Sequence, residues 1–404
     1  MQLKRKITED IKKWMESKDR KCLIISGAKG VGKTYTIEQF AKENFEECVR
    51  INFREMPSAA DIFAGDLTVE HMLMMMKFRF PEKEFAPRKT LIFLDEIQEC
   101  PEAITSLKFW ALDNRFDIIA SGSLLRVDYK RPSSYPVGYV DYLKMHGLDF
   151  EEFLWGMGEN EVETKRLYCC PETESEMSKI FSEKIMSYYL EYIAVGGMPE
   201  VVSKYIETRN ISEADRIQKK LLKQYFQDIS YYGKGEKKRR IKKCYLKILE
   251  QMLNKNDMEL EGEEKEFCFE IDWLLKADMI HVSRHITKKK YDLNEYARDD
   301  YFRVYVSDLS LLMAMADVLL KQQIIDDVLQ GEIKDIIYEY AAADALYKNG
   351  YNLYFHGDDN TGKEEQIVIQ KNGEIVSIEI ECRNVLEIKN EKIISVPTYM
   401  ISFI

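Results

Sequence analysis

Gly27 to Thr34 reads Gly-Ala-Lys-Gly-Val-Gly-Lys-Thr, the spacing Gly-x-x-x-x-Gly-Lys-[Ser/Thr] of a Walker A loop. Few eight-residue stretches constrain a fold so tightly. Such a loop must sit between a strand that ends at it and a helix that starts from it, because its backbone N–H groups converge on a phosphate at the helix N-terminus. Both neighbours are present: Cys22-Leu23-Ile24-Ile25 is apolar enough for a buried strand, and Thr36–Asn44 has helical composition with Ile37, Phe40 and Ala41 on one face. Glycines at 27, 30 and 32 leave room for a phosphate to approach the backbone. The expected nucleotide-binding set is therefore Gly27, Ala28, Lys29, Gly30, Val31, Gly32, Lys33, Thr34 and Tyr35. In it Lys33 reaches the β/γ oxygens of ATP and Thr34 holds Mg²⁺.

The chain downstream repeats the same logic. Glu47–Phe53 alternates and is rich in strand formers, and Pro57 opens a helical stretch expected to run to about Phe78. Thr90-Leu91-Ile92-Phe93-Leu94 then forms an apolar strand ending in two adjacent carboxylates, Asp95 and Glu96. Asp95 is assigned to Mg²⁺ and Glu96 to the general base that positions the attacking water. Pro101–Leu112 reads as a helix, and Phe116–Ala120 as a strand that ends at Ser121-Gly122-Ser123. Ser121 is the first choice, and Ser123 the second, for a residue that senses the γ-phosphate. Alternating strands and helices predict a parallel α/β sheet with the nucleotide at its carboxyl edge.

At 404 residues the chain exceeds one core, so two or three domains are expected. A formal net charge of −11 excludes a surface that is wholly a nucleic-acid footprint, though not a local basic patch. The eight cysteines contain no Cys-x-x-Cys, which argues against a zinc site and a disulfide framework and for reduced thiols in the cytoplasm. The N-terminus lacks an apolar signal core, and no stretch approaches the ~18 apolar residues of a membrane span. Met72–Met76 is read as a buried helix face, with an adaptable Met-rich contact surface as the alternative.

Asp95-Glu96-Ile97-Gln98-Glu99-Cys100-Pro101, Ala120–Leu125, Tyr135-Pro136-Val137-Gly138 and Phe150–Leu154 together resemble the prokaryotic AAA-type ATPases that carry a C-terminal restriction-endonuclease-like domain of uncharacterised function. Gly196-Gly197-Met198-Pro199-Glu200, Tyr225–Ile229 and Phe302–Asp308 continue the resemblance. It implies an ATPase domain over 1–157, a helical, winged-helix-like region over 158–310, and a nuclease-like α/β domain over 311–404. Tyr139 stands where such proteins usually carry a basic residue. An arginine finger acting across a subunit contact would then come from Arg126 or Arg131 and would require an oligomer.

Lys234–Lys243 holds seven basic residues and one acid, and Asp257–Glu270 seven acids and one base. The basic run either meets nucleic-acid phosphates, lies on a solvated helix face, or pairs with the acidic run. A winged-helix reading puts Ile271–Leu275 on a helix and Met279–Val282 on a strand. His281 and His285 are four apart with no third ligand nearby, so a metal site is not expected there. In the tail, the positions matching nuclease metal ligands are Asp335, Gln366, Glu379 and Glu381. Gln366 lacks a carboxylate and Glu381 reverses a lysine charge, so cleavage is not expected. The expectation is a MgATP-binding ATPase acting as a nucleotide-driven switch on an unknown protein partner; the alternative is a nucleic-acid-binding regulator in which nucleotide is structural and hydrolysis negligible.

Overall fold

Strands β1 (Cys22–Ser26), β2 (Glu47–Asn52), β3 (Thr90–Asp95), β4 (Asp117–Gly122) and β5 (Val140–Lys144) pair in parallel in the order β2-β3-β4-β1-β5. The computed structural model to which they belong describes residues 2–123, 125, 134–162, 164, 176–233, 235–251, 258–259, 269–357, 364–381, 384–389 and 392–403. Two units divide the chain: Arg5–His146 with Lys276–Asp278, and Met1–Lys4 with Gly147–Leu275 and Met279–Ile404.

In the first unit, helices α1 (Ile7–Glu16), α2 (Lys33–Asn44), α3 (Val69–Arg79) and α4 (Pro101–Asp113) accompany the parallel sheet. Cys22, Ile24, Val49, Ile51, Ile92 and Leu94 join side chains of α3 and α4 in one apolar cluster. Leu23, Ile25, Phe93 and Ile119, which alternate with them, are buried as well. Strands covered on both faces read as unbroken apolar runs, which is why these segments stand out in the sequence. Each such side chain contributes about 1.5–3 kcal/mol on full burial.

Two expectations need correction. The stretch from Pro57 is not one helix: a 3₁₀ segment (Pro57–Phe63) ends before Gly65, whose φ of +82° stops helical propagation, and α3 begins at Val69. The fifth strand, β5, was not expected, because its short mixed-polarity sequence carries little strand signal alone. It adds beside β1, and Met145 N–H continues the ladder by donating to Ser26 O at 2.8 Å. In α3, Met72 and Met76 are buried and Met74 points outward.

The second unit begins with α5 (Phe150–Gly156), α6 (Glu176–Val195), α7 (Pro199–Thr208), α8 (Ile211–Tyr232) and α9 (Gly235–Gln251). It continues through α10 (Phe269–Lys276), α11 (Leu309–Met313), α12 (Val318–Ile325) and α13 (Glu332–Lys348). Strands β6 (Met258–Glu259), β7 (Ile280–Ile286), β8 (Ala297–Val306), β9 (Leu353–Gly357), β10 (Glu364–Lys371), β11 (Glu374–Glu381), β12 (Asn384–Lys389) and β13 (Lys392–Pro397) form a mixed sheet in the order β13-β12-β11-β10-β9-β7-β8-β6. β7 and β9 are parallel while β7 and β8 are antiparallel. His281 stacks on Tyr347 with centroids 3.4 Å apart, and His285 packs on Phe355.

Two of the motifs beyond the first unit, Gly196–Glu200 and Phe302–Asp308, meet at one buried point. Gly197 N–H donates to Asp308 Oδ1 at 2.9 Å and Met198 N–H to Ser310 Oγ at 3.1 Å. Lys348 Nζ lies 2.8 Å from Asp308 Oδ2 and 2.7 Å from Asp344 Oδ2, and donates to Tyr192 OH at 3.1 Å. A Cβ on Gly196 would come within 2.1 Å of Ser310 N, so the close approach demands glycine.

Candidate nucleotide site

All the groups of the site stand at the carboxyl edge of the first sheet. Ile25 is level with Ser121, and Asn52 with Asp95, so β1, β4, β3 and β2 deliver their last residues to one locality. The loop leaves β1 at Gly27, where a Cβ would sit 2.0 Å from Met145 O; β5 thus leaves room only for glycine. Gly32, with φ +93°, turns the chain into α2, whose first residue is Lys33. Ala28, Val31 and Lys33 are buried, whereas Tyr35 is about half exposed. Arg5, just before α1, donates to Val31 O at 2.8 Å and to His146 O at 2.6 Å, fastening the N-terminal segment to the loop.

Lys33 Nζ donates to Gly27 O at 2.8 Å and to Ala28 O at 2.9 Å, folding back over its own loop. Burial pushes its ammonium below the ordinary lysine range, against the opposing pull of Glu96 and Asp95. A phosphate would restore a full counter-charge to a cation that now has only carbonyl dipoles as direct partners.

Asp95 is the focus of the cluster and is 2% exposed. Thr34 Oγ1 lies 3.2 and 3.1 Å from its two carboxylate oxygens, and Ser121 Oγ donates to Oδ1 at 2.5 Å. Arg50 donates from its Nε at 3.1 Å and from a terminal nitrogen at 2.8 Å, both to Oδ2, and Asn52 Nδ2 donates to the same oxygen at 3.0 Å. Arg50 also bridges to Glu38 at 3.4 Å and Glu55 at 3.2 Å. Thr34 and Asp95 form an all-oxygen pair of the kind that suits Mg²⁺.

Glu96 has φ +54° and ψ +45°, a left-handed conformation that a non-glycine residue adopts only where its surroundings enforce it. Its carboxylate accepts from Gln98 Nε2 at 2.5 Å. Gln98 is itself buried, and a Cβ on Gly122 would come within 2.6 Å of its other amide atom. Gln98 is thus wedged against β4, and its hold on Glu96 fixes where the carboxylate points.

The expected residues Lys33, Thr34, Asp95, Glu96 and Ser121 therefore stand around one strand-end locality. Ser121, not Ser123, makes the hydrogen bond to Asp95. Arg126 and Arg131 lie outside the described residues. Arg50, Asn52 and Gln98 were missed. Arg50 and Asn52 are two apart on β2 and so share a face, but only the pairing of β2 with β3 turns that face toward Asp95.

With the geometry in place, the similarity to known proteins is informative. Residues 19–154 match a family model described as AAA domain, and residues 186–322 match one described as a domain of unknown function (DUF8612). The first match supports an AAA-type ATPase family. The matched residues contain every residue of the cluster except Arg5, and the match supports nucleotide binding. No curated protein matches the chain. Among solved structures, PCH-2 from C. elegans is similar at 11% identity and a TM-score of 0.31, over 52% of this chain and 65% of that one. Drosophila ORC bound to DNA is similar at 12% identity and a TM-score of 0.29, over 80% of this chain and 95% of that one. At that distance neither likeness bears on function. Among the described residues, no helix is long and apolar enough to cross a membrane.

Proposed function

We propose that this protein is a MgATP-dependent ATPase in which nucleotide acts as a switch on a partner protein. The observation that carries the reading is the convergence on Asp95: Thr34 reaches it from the phosphate loop and Ser121 from the neighbouring strand. In this reading the loop Gly27–Thr34 holds the phosphates through its backbone N–H groups and Lys33. Thr34 and Asp95 would hold Mg²⁺, which when bound offsets phosphate charge. Glu96 accepts a proton from the attacking water, at a position set by Gln98. Ser121, already a donor to Asp95, stands where it registers the γ-phosphate. Arg50 must loosen its hold on Asp95 when a cation arrives, because two positive charges on one carboxylate oxygen repel.

The same proposal divides the chain functionally at 1–157, 158–310 and 311–404, the last two responding to the nucleotide state. A winged-helix character for the middle part is supported by α10 followed directly by β7. Loss of cleavage in the nuclease-like part follows from Gln366 and Glu381. Calorimetric titration of the full chain with MgATP tests the reading. Binding is expected, and Lys33→Ala should weaken it by about 100-fold. Absence of binding by the intact protein would overturn it. Phosphate release without a partner distinguishes turnover from a purely structural nucleotide.

A further inference from the structure

The basic run on α9 is not one surface. Ile241, Tyr245 and Ile248 form the buried side of that helix, and the cations flanking them divide by helical period into two groups. Lys237 and Arg240 turn toward α10: Lys237 Nζ lies 4.4 Å from the centroid of the Phe269 ring, and Arg240 Nε lies 2.7 Å from Glu270 Oε1. This half of the run therefore has partners within the chain. Arg239, Lys242 and Lys243 face the other way, with Leu246 one turn further on, and form one wall of a groove of about 660 Å³. Lys223 and Phe226 of α8 line it as well.

Four cations thus surround an apolar floor, and none of them has a carboxylate partner among the described residues. No acidic side chain lines the groove. In a chain of net charge −11, like charges gathered without compensation attract an anion. The floor says which kind. Phe226 is half-buried, held edge-on against Tyr245 with centroids 5.7 Å apart, and Lys242 Nζ lies 5.7 Å from its centroid. A duplex offers phosphates and keeps its base faces stacked inside, so it would leave the ring and Leu246 unused. A single strand offers both a negative backbone and free base faces.

We infer that the groove between α8 and α9 binds single-stranded nucleic acid. One base stacks on Phe226, and Lys223, Arg239, Lys242 and Lys243 take the flanking phosphates. Lys242 moves from the ring face to a phosphate as the base arrives. Recognition is tolerant of sequence, since stacking and backbone contact do not read base edges. The inference is independent of the ATPase reading, because the groove uses no residue of the nucleotide site and binding is measured without nucleotide.

The experiment is fluorescence anisotropy of the full chain with a labelled oligothymidine of about 20 nucleotides, without ATP or Mg²⁺. Four phosphate contacts on a single strand give a log–log salt slope of about −2.8, or about 50-fold weaker binding between about 50 and 200 mM salt. Replacing Lys223, Arg239, Lys242 and Lys243 together by Gln should bring that slope close to zero. Phe226→Ala should weaken binding about tenfold and leave the slope unchanged. Lys237→Gln with Arg240→Gln should change affinity by less than about threefold. Lys243→Glu alone, an exposed single change, keeps the test decisive if the fourfold variant misfolds; it should also weaken binding. No binding at about 50 mM salt, or wild-type binding by these groove variants, overturns the inference. So does a larger loss from the Lys237/Arg240 pair, or preference for polyglutamate over oligothymidine, which would assign the groove to an acidic protein.

Discussion

Each unit buries a carboxylate cluster, and the two clusters have opposite characters. In the second unit, Asp308, Asp344 and Lys348 are all at most 4% exposed at their side chains, and each charge meets another from within the fold. In the first unit Asp95 is equally buried, but its cationic partner Arg50 is 29% exposed and shared with Glu38 and Glu55. The second cluster is closed by its own residues. The first has a partner that water and two outer carboxylates can receive, which is what the proposed Mg²⁺ site requires. Buried charge of the same chemistry fixes architecture in one place and leaves an exchangeable position in the other.

The comparison breaks most directly at Lys348. Lys348→Met strands two buried carboxylates and should destabilise the protein by about 3–5 kcal/mol, read from urea unfolding. Glu96→Gln should instead leave stability near wild type and lower phosphate release by roughly a hundredfold or more, with MgATP still bound in calorimetry. A smaller effect is expected from pH. Burial and the neighbouring Asp308 raise the Asp344 carboxyl to about 7, against the pull of Lys348. Protonated Asp344 therefore favours the folded state: that contribution is complete below the ordinary carboxyl value of 3.8 and is lost as pH rises through about 7. Unfolding midpoints should drop by the equivalent of about 1 kcal/mol between about pH 6 and 8, and Asp344→Asn should flatten the slope. Asp95→Asn should cost no more than about 1 kcal/mol of stability, because Arg50 keeps Glu38, Glu55 and solvent. That variant should nonetheless lose the Mg²⁺ dependence of nucleotide binding. A loss of several kcal/mol there would show the two clusters to be alike.

Legibility followed the range of the interactions. The phosphate loop, β1, β3 and α4 were readable because a short apolar run, a glycine spacing and a proline at a helix start are local signals. β5 was not, since its place is set by pairing with β1 more than 110 residues earlier in the chain. The break between the 3₁₀ segment and α3 has a local cause, the left-handed Gly65, that composition alone does not reveal.

The sequence by itself determined that a glycine-rich loop stands between strand and helix, and that Asp95 and Ser121 lie at the ends of neighbouring strands. Carboxyl-terminal ends of strands in a parallel α/β sheet share one edge, so that common placement needed no coordinates. Only the tertiary structure decided that Arg50 and Asn52 close around Asp95, that Gln98 holds Glu96, and that Lys348 joins residues 148 to 344 in one buried node. It likewise turned Lys237 and Arg240 of α9 toward Phe269 and Glu270, and Arg239, Lys242 and Lys243 toward the groove. Side chains far apart in sequence acquire partners through packing, and a one-dimensional pattern carries no record of which faces will meet.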